Sequence, residues 1–111
     1  GRTSEPLEDL DLSALAAELV GEYADAGAAV RLAGTIPAPV RGRPLLLRSA
    51  VRNLIDNALT YAGEASVSVE ALGERMRLAV DDEGPGMTAE TLARARQLFV
   101  RGESSRSRTT G

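Results

Sequence analysis

The sequence RPLLLRSAVRNLIDNALTYAG, from Arg43 to Gly63, decides the fold because it predicts a long helix with one apolar face. Its apolar residues recur at steps of three and four, which at about 100° per residue places them along one stripe. The stripe consists of Leu47, Val51, Leu54, Ile55, Ala58 and Ala62. Pro44 has the fixed φ suited to a first helical position, and Gly63 can adopt the left-handed conformation that ends a helix. The stripe is therefore expected to pack on a core.

One edge of this stripe is polar, because Asn53, Asn57 and Tyr61 follow one another at four-residue steps. The far side is expected to be solvated and carries Arg48, Arg52, Asp56 and Thr60. Asn costs a helix roughly half a kcal/mol relative to Ala, so two of them on one edge suggest a use. A neutral amide oxygen suits Mg²⁺ and leaves the charge of the ion free to hold phosphate. From this helix alone, an ordinary polar flank with a half-buried Tyr is an open alternative.

Composition excludes several classes of protein. The 111 residues, 43% hydrophobic and 26% charged, predict one soluble globular domain, and no apolar run is long enough to span a bilayer. There is no Cys for disulfide or thiolate chemistry, and no His for imidazole catalysis, zinc binding or a phosphohistidine. All 13 cations are Arg, which excludes the lysines of a Walker loop and of the protein-kinase fold. A net charge of −3 gives no support for a nucleic-acid partner.

Periodicity and turn residues predict the remaining elements. In chain order these are an extended segment over 6–12, a helix over 13–26, a strand over 29–33, a loop or edge strand over 34–42, a hairpin of strands over 66–72 and 75–82, and a short helix over 87–96. Ser13 and Thr88 are the predicted N-caps of the first and last helices, and Gly27 ends the first. This order predicts an α/β (α+β) two-layer sandwich, in which helices cover one face of a mixed, mostly antiparallel sheet.

A second informative stretch, RMRLAVDDEGPGM from Arg75 to Met87, ends the hairpin. Asp82 is the next residue on the face that a period of two assigns to Met76, Leu78 and Val80. A carboxylate in a line of core residues needs a hydrogen-bond donor, and an adenine amino group would serve. Gly84 and Gly86 would let the backbone approach a flat ring and turn below it. The alternative is an Asp-capped turn, because D-x-G-x-G alone is a common pattern.

In this order and spacing, NLIDNALTYA at 53–62 and DEGPGM at 82–87 resemble the N and G1 boxes of the ATP-binding catalytic domain of bacterial two-component sensor histidine kinases. The upstream elements are also similar to that family, so the resemblance covers nearly the whole chain. It implies a Bergerat (GHKL) nucleotide-binding fold that uses ATP and Mg²⁺. It further implies an ATP-binding core over 1–96 and an ATP-lid or F-box segment over 97–111. A plain solvated tail is the other reading of that last segment.

The resemblance assigns roles to the matching residues of the two boxes. Asn57 would be the Mg²⁺ ligand, and Asn53 would support the metal and phosphate end. Tyr61 would pack near the adenine, and the carboxylate of Asp82 would accept a hydrogen bond from its exocyclic amine. Arg101 would reach toward the terminal phosphate and stabilise the charge that develops during transfer. The other implied cofactor-binding residues are Gly84 and Gly86 in the pocket wall, Phe99 as the anchor of the lid, and Gly111.

The sequence also departs from the family pattern. Thr60 stands where many members carry Lys or Arg, and Glu83 stands where Asn is frequent, so phosphate contact is expected to be weaker. The sequence stops at Gly111, before the second glycine box, which implies a C-terminally incomplete fold. A flexible lid, and instability, rearrangement or self-association through exposed core, are the expected consequences.

The resemblance implies transfer rather than hydrolysis. Hydrolysing members of the superfamily carry a water-activating Glu four residues before the metal-binding Asn, and that position is Asn53 here. The expected function is therefore the catalytic domain of a sensor histidine kinase, which presents Mg-ATP to a histidine on a separate dimerisation domain. The fragment is expected to be inactive alone, to lie in the cytoplasmic part of a membrane-anchored sensor, and to serve a response regulator indirectly. The alternative is a non-catalytic interaction module that keeps the fold without the nucleotide.

Overall fold

A computed structural model describes residues 5–82 and 95–102 of the chain. Its two helices are α1 (Leu12–Asp25) and α2 (Pro44–Ala62). Its strands are β1 (Glu8–Asp11), β2 (Val30–Gly34), β3 (Pro39–Gly42), β4 (Ala65–Leu72), β5 (Arg75–Asp81) and β6 (Arg96–Arg101). The structure therefore contains the predicted central helix, the first helix, the strand predicted over 29–33 and the hairpin. Their observed boundaries differ from the predicted ones by one or two residues.

Four strands form the main sheet in the order β2-β4-β5-β6. The β2 strand runs parallel to β4, while β4 with β5 and β5 with β6 are antiparallel. The β1 and β3 strands form a separate antiparallel pair, and one bridge between Val40 and Gly102 connects that pair to the end of β6. This arrangement confirms the predicted mixed, mostly antiparallel sheet.

Both helices pack on one face of the main sheet. The largest side chains that are fully buried there are Leu12, Leu19, Val40, Val51, Ile55, Val67, Leu78 and Val80. On α2 the predicted stripe is buried at Val51, Ile55 and Ala58 and partly buried at Leu47 and Leu54, whereas Ala62 is exposed. Burying each Val, Leu or Ile contributes about 1.5–3 kcal/mol relative to exposure, so this stripe holds α2 on the sheet.

The ends of α2 are set by the residues that the sequence indicated. Pro44 occupies the first helical position, and Gly63 caps the C-terminus with φ 79° while its N–H donates to the carbonyl of Leu59 at 2.8 Å. No side chain of the N-cap residue contributes a hydrogen bond. The carboxylate of Glu5 does so from outside the helix, because it accepts hydrogen bonds from the backbone N–H groups of residues 45 and 46.

The N-cap of α1 is Asp11 and not the predicted Ser13. The carboxylate of Asp11 accepts hydrogen bonds from the N–H groups of Ser13 at 2.8 Å and Ala14 at 3.2 Å. Ser13 lies inside the first turn, where it is buried and its hydroxyl donates to the carbonyl of Ile36. The prediction of Ser13 was wrong because the acidic side chain two residues earlier satisfies the free N–H groups first.

The side of α2 that was expected to face solvent is partly exposed, and it also forms surface contacts with α1. Arg48 and Arg52 both form ion pairs with Glu22, at 3.0 and 2.7 Å, and the hydroxyl of Tyr23 donates to Asp56 at 2.6 Å. The hydrogen bond from Arg52 is the main cause that lowers the pKa of Glu22 below its usual value. Burial, followed by the hydrogen bond to Asp56, raises the pKa of Tyr23. This cluster joins the two helices on the side away from the sheet.

Residues 96–101 form an edge strand of the main sheet. Its ladder with β5 runs from Arg96 opposite Val80 to Arg101 opposite Arg75. Leu98 and Val100 pack against the core, which explains why this alternating stretch pairs with the sheet. The described part of the segment predicted as a lid therefore lies in the sheet. The boundary at residue 96 stays a prediction, and most of the helix predicted over 87–96, with its cap Thr88, lies outside the described residues.

Candidate functional site

A cavity of about 260 Å³ opens between the last turns of α2, the end of β5 and the start of β6. Its lining residues are Ala58, Tyr61, Val80, Asp82, Ala95 and Arg96. Pockets for whole small-molecule ligands usually enclose roughly 300–1,000 Å³. The described residues therefore surround a space suited to part of a ligand, such as a flat heterocycle, with charged groups at its edge.

Two predicted site residues, Tyr61 and Asp82, meet at this cavity. Tyr61 lies three residues after Ala58, so both side chains share a face of α2, with the small buried Ala58 as the floor. Asp82 follows β5 and continues the face of the buried Val80, as the alternation predicted. The carboxylate and the phenol ring thus border one space, while their roles toward a nucleotide stay predictions.

Arg96 is a lining residue that sequence reasoning did not assign to the site. Its guanidinium carbon lies 5.5 Å from the centroid of the Tyr61 ring, a distance typical of a cation–π contact. A period of two through Leu98 and Val100 places Arg96 on the core-facing side of β6, which is the signal that could have found it. The signal was missed because Arg96 was assigned to the end of a helix.

The predicted amides lie beside the cavity rather than in it. Asn57 and Asn53 are exposed on α2, about 6 and 12 Å along the helix axis before Tyr61. Within residues 5–82 and 95–102, no group of three or more His, Cys, Asp or Glu side chains is positioned to hold a metal. A Mg²⁺ ion next to Asn57 would therefore depend on water and on ligand oxygens for most of its coordination, as this ion commonly does.

Phe99 and Arg101 do not lie at the cavity in this structure. They are opposite Arg77 and Arg75 in the ladder, and Arg101 is about 17 Å along the strand from Arg96. The ring of Phe99 instead lies under the guanidinium of Arg75, at 5.2 Å. The remaining predicted residues, Glu83, Gly84, Gly86 and Gly111, lie outside the described residues.

The two adjacent aspartates at the end of β5 face opposite sides of the sheet. Asp81 is only 3% exposed and lies opposite Ser66 on the face away from the helices. In the described part of the chain, Oδ2 of Asp81 has no hydrogen-bond partner. Asp82 is less buried and borders the cavity. Only one of the two carboxylates is therefore placed to meet a ligand there.

Comparison with known proteins gives the class of this domain. Residues 42–111 match the family of histidine kinase-, DNA gyrase B-, and HSP90-like ATPases. The sensor histidine kinase GtrS of Pseudomonas aeruginosa is 38% identical over 88 residues, which cover 79% of this chain and 18% of that protein. The solved ATP binding domain of PrrB from Mycobacterium tuberculosis has a TM-score of 0.63 at 25% identity, over 76% of this chain and 65% of that one. The histidine kinase domain of the E. coli osmosensor EnvZ has a TM-score of 0.61 at 30% identity, over 96% and 67%.

The chain belongs to the histidine kinase-, DNA gyrase B-, and HSP90-like ATPase family. Its relatives in that family are sensor histidine kinases, which confirms the resemblance, and the matching folds confirm the predicted fold class. The chain spans only 18% of the length of the sensor histidine kinase GtrS. Neither described helix combines the length and the apolar character that crossing a membrane requires.

Proposed function

We propose that this chain is the catalytic domain that binds Mg-ATP in a sensor histidine kinase and presents the γ-phosphoryl group to a histidine on a separate dimerisation domain. The observation that carries the proposal is the cavity where Asp82 and Tyr61 converge at the end of α2, in a member of this ATPase family. A response regulator would receive the phosphoryl group afterwards. The domain would work on the cytoplasmic side of a membrane-anchored sensor.

The cavity fits an aminopurine base. Asp82 presents a hydrogen-bond acceptor beside an apolar floor, so an exocyclic amine can donate to it while the ring lies over Ala58. Tyr61 offers an aromatic surface at the mouth, where it is 75% exposed and available for contact with a base. A base with a carbonyl oxygen in place of the amine would set two acceptors against each other. The pair therefore favours adenine over guanine.

The phosphates would extend from the base along the polar edge of α2. Asn57 would bind Mg²⁺ through its amide oxygen, and Asn53 would support the same end of the ligand from one turn further back. When bound, the ion would neutralise phosphate charge. Both amides are exposed, which suits a hydrated ion that keeps several water ligands. Gly84, Gly86 and Gly111 would contribute the rest of the pocket.

Two further site residues were predicted in the lid segment. Phe99 would anchor a lid and Arg101 would contact the phosphate, and both would need to leave their positions in β6 to do so. Transfer is favoured over hydrolysis because Asn53 occupies the position of the water-activating Glu in hydrolysing relatives. The phosphoryl acceptor would lie in another segment, since this chain has no His.

Paired substitutions at the two aspartates test the nucleotide site. Asp82→Asn replaces the acceptor in the cavity, and Asp81→Asn is the matched control on the opposite face of the same strand. A hydrogen bond to a charged group contributes about 1.5–3 kcal/mol, so Asp82→Asn should weaken binding of a non-hydrolysable ATP analogue about tenfold or more. Asp81→Asn should change it less than about twofold. Calorimetric titration of the full chain, with and without Mg²⁺, measures both.

The same titration separates the kinase proposal from the alternative of an interaction module without nucleotide. That alternative is favoured by the exposed Thr60, an uncharged residue at a position where the family resemblance implies a cation. If the wild type binds the ATP analogue and Asp82→Asn binds it equally well, the ligand lies elsewhere and the proposed site is refuted. Absence of binding by a wild-type protein whose helical circular dichroism is intact would favour the interaction module.

A further inference from the structure

Arg96 is the one cationic residue among the six described residues that line the cavity. We infer that Arg96 contacts the phosphates of the bound nucleotide. This inference rests on the proposed function, because it identifies a specificity-determining residue of the same site. It follows from the charge, position and available donors of Arg96.

The two charged residues among the described residues that line the cavity have opposite signs and come from two neighbouring strands. Asp82, after β5, is the negative lining residue, and Arg96, at the start of β6, is the positive one. A nucleotide has the same division, since its base can present an amine and its phosphates are anionic. A guanidinium offers five N–H donors in a planar fork that matches two phosphate oxygens. The cavity is therefore complementary to the two ends of an adenine nucleotide.

The backbone holds Arg96 at the mouth of the cavity. It pairs with Val80 in the ladder between β5 and β6, and its neighbour Ala95 also lines the cavity. The Tyr61 ring lies 5.5 Å from the guanidinium carbon, so the exposed side chain of Arg96 contacts a second lining residue of the cavity. A guanidinium that contacts a ring in this way can still donate hydrogen bonds through its N–H groups to a ligand.

Among the described residues, no carboxylate forms an ion pair with Arg96. Within the described residues, Arg96 takes part in the ring contact with Tyr61 but in none of the ion pairs, which involve Arg41, Arg48, Arg52 and Arg77. Arg96 and Asp82 therefore border the same cavity without neutralising each other. Arg96 can therefore form an ion pair with a phosphate at the mouth of the cavity, because no carboxylate among the described residues is paired with it.

Arg75 provides a matched control. It also lies in the β5–β6 pair and its guanidinium also rests on an aromatic ring, that of Phe99 at 5.2 Å. It stands at the opposite end of the ladder from Arg96, however, next to the β4–β5 turn. Arg75→Gln therefore removes one positive charge and one cation–π contact from the same sheet without touching the cavity.

The experiment compares ATP with adenosine, which has the base but no phosphate. Affinities of both ligands are measured by calorimetry for the wild type, Arg96→Gln, Arg96→Lys and Arg75→Gln. We expect Arg96→Gln to weaken ATP binding about tenfold and to change adenosine binding less than about twofold. Arg96→Lys should retain part of the ATP affinity, because it keeps the charge without the planar fork. Arg75→Gln should leave both affinities unchanged, and the thermal unfolding of all variants checks that they fold.

Three outcomes would overturn the inference. Equal losses of ATP and adenosine affinity in Arg96→Gln would mean that Arg96 supports the base or the cavity wall. No loss of either would mean that it does not contact the ligand, and the same ATP loss in Arg75→Gln would mean that only the net charge matters. In each case a specific loss in Asp82→Asn would leave the proposed function standing. A wild type that binds neither ligand would instead remove the proposed function and the role of Arg96 together.

Discussion

Glu5 stabilises α2 from a position 40 residues away in sequence, and its removal gives a quantitative test of the structure. Its Oε2 and Oε1 atoms accept hydrogen bonds from the N–H groups of Leu45 at 2.7 Å and Leu46 at 3.1 Å. Its backbone carbonyl accepts from Nε of Arg43 at 2.8 Å. Loss of a capping side chain costs about 0.5–2 kcal/mol, and both bonds here are exposed to solvent. We therefore expect Glu5→Ala to cost about 1 kcal/mol and Glu5→Gln, which keeps an acceptor, about half of that.

Urea denaturation at neutral pH measures this change in the free energy of unfolding. Glu8→Ala is the control, because Glu8 is exposed on β1 and is also acidic. A loss of about 1 kcal/mol would lower the unfolding temperature of a chain of this size by about 4 °C. If Glu5→Ala and Glu8→Ala unfold at the same urea concentration, the carboxylate of Glu5 does not stabilise α2 as a cap.

Two further predictions concern the helix layer. The pKa of Glu22 is lowered, chiefly by the hydrogen bond from Arg52, so its stabilisation is present above the unfolded pKa and lost as pH falls through the folded one. The advantage of the wild type over Glu22→Gln in unfolding temperature should therefore shrink as pH falls below about 4.3, and a constant difference would contradict the pairing. Ile55 is fully buried whereas Leu45 is 68% exposed, so Ile55→Ala should cost about 2–5 kcal/mol and Leu45→Ala less than about 0.5. Equal costs in urea denaturation would refute the packing of α2.

Local signals were sufficient to predict α2 and the hairpin. Pro44 and Gly63 define the ends of the helix within its own sequence, and Gly73, with φ 61°, turns the chain between β4 and β5. The pairing of β1 with β3 was not predictable in the same way. It joins segments about 30 residues apart, and the periodicity of each strand carries no information about its partner.

Periodicity also identifies the residues that share a face without identifying what lies against that face. Arg48 and Arg52 were correctly grouped on a partly exposed side of α2, but their ion pairs with acidic residues of α1 were not predicted. Periodicity likewise predicted only some of the residues that line the cavity. Asp82 was placed on the correct face because the strand alternation continues to it, whereas Arg96 was missed because a helix was predicted where β6 begins.

The identity of the acid in the cavity depends on the register of the β4–β5 hairpin. Side chains on a strand alternate between faces, so a shift of one residue would exchange Asp81 and Asp82. Seven residue pairs, from Ser66 opposite Asp81 to Leu72 opposite Arg75, fix that register. A shift would also turn Leu78 and Val80 out of the core, at a cost of about 1.5–3 kcal/mol for each side chain. The apolar core residues of β5 therefore determine which carboxylate is presented to the ligand, although neither Leu78 nor Val80 has a polar side-chain group with which to bind it.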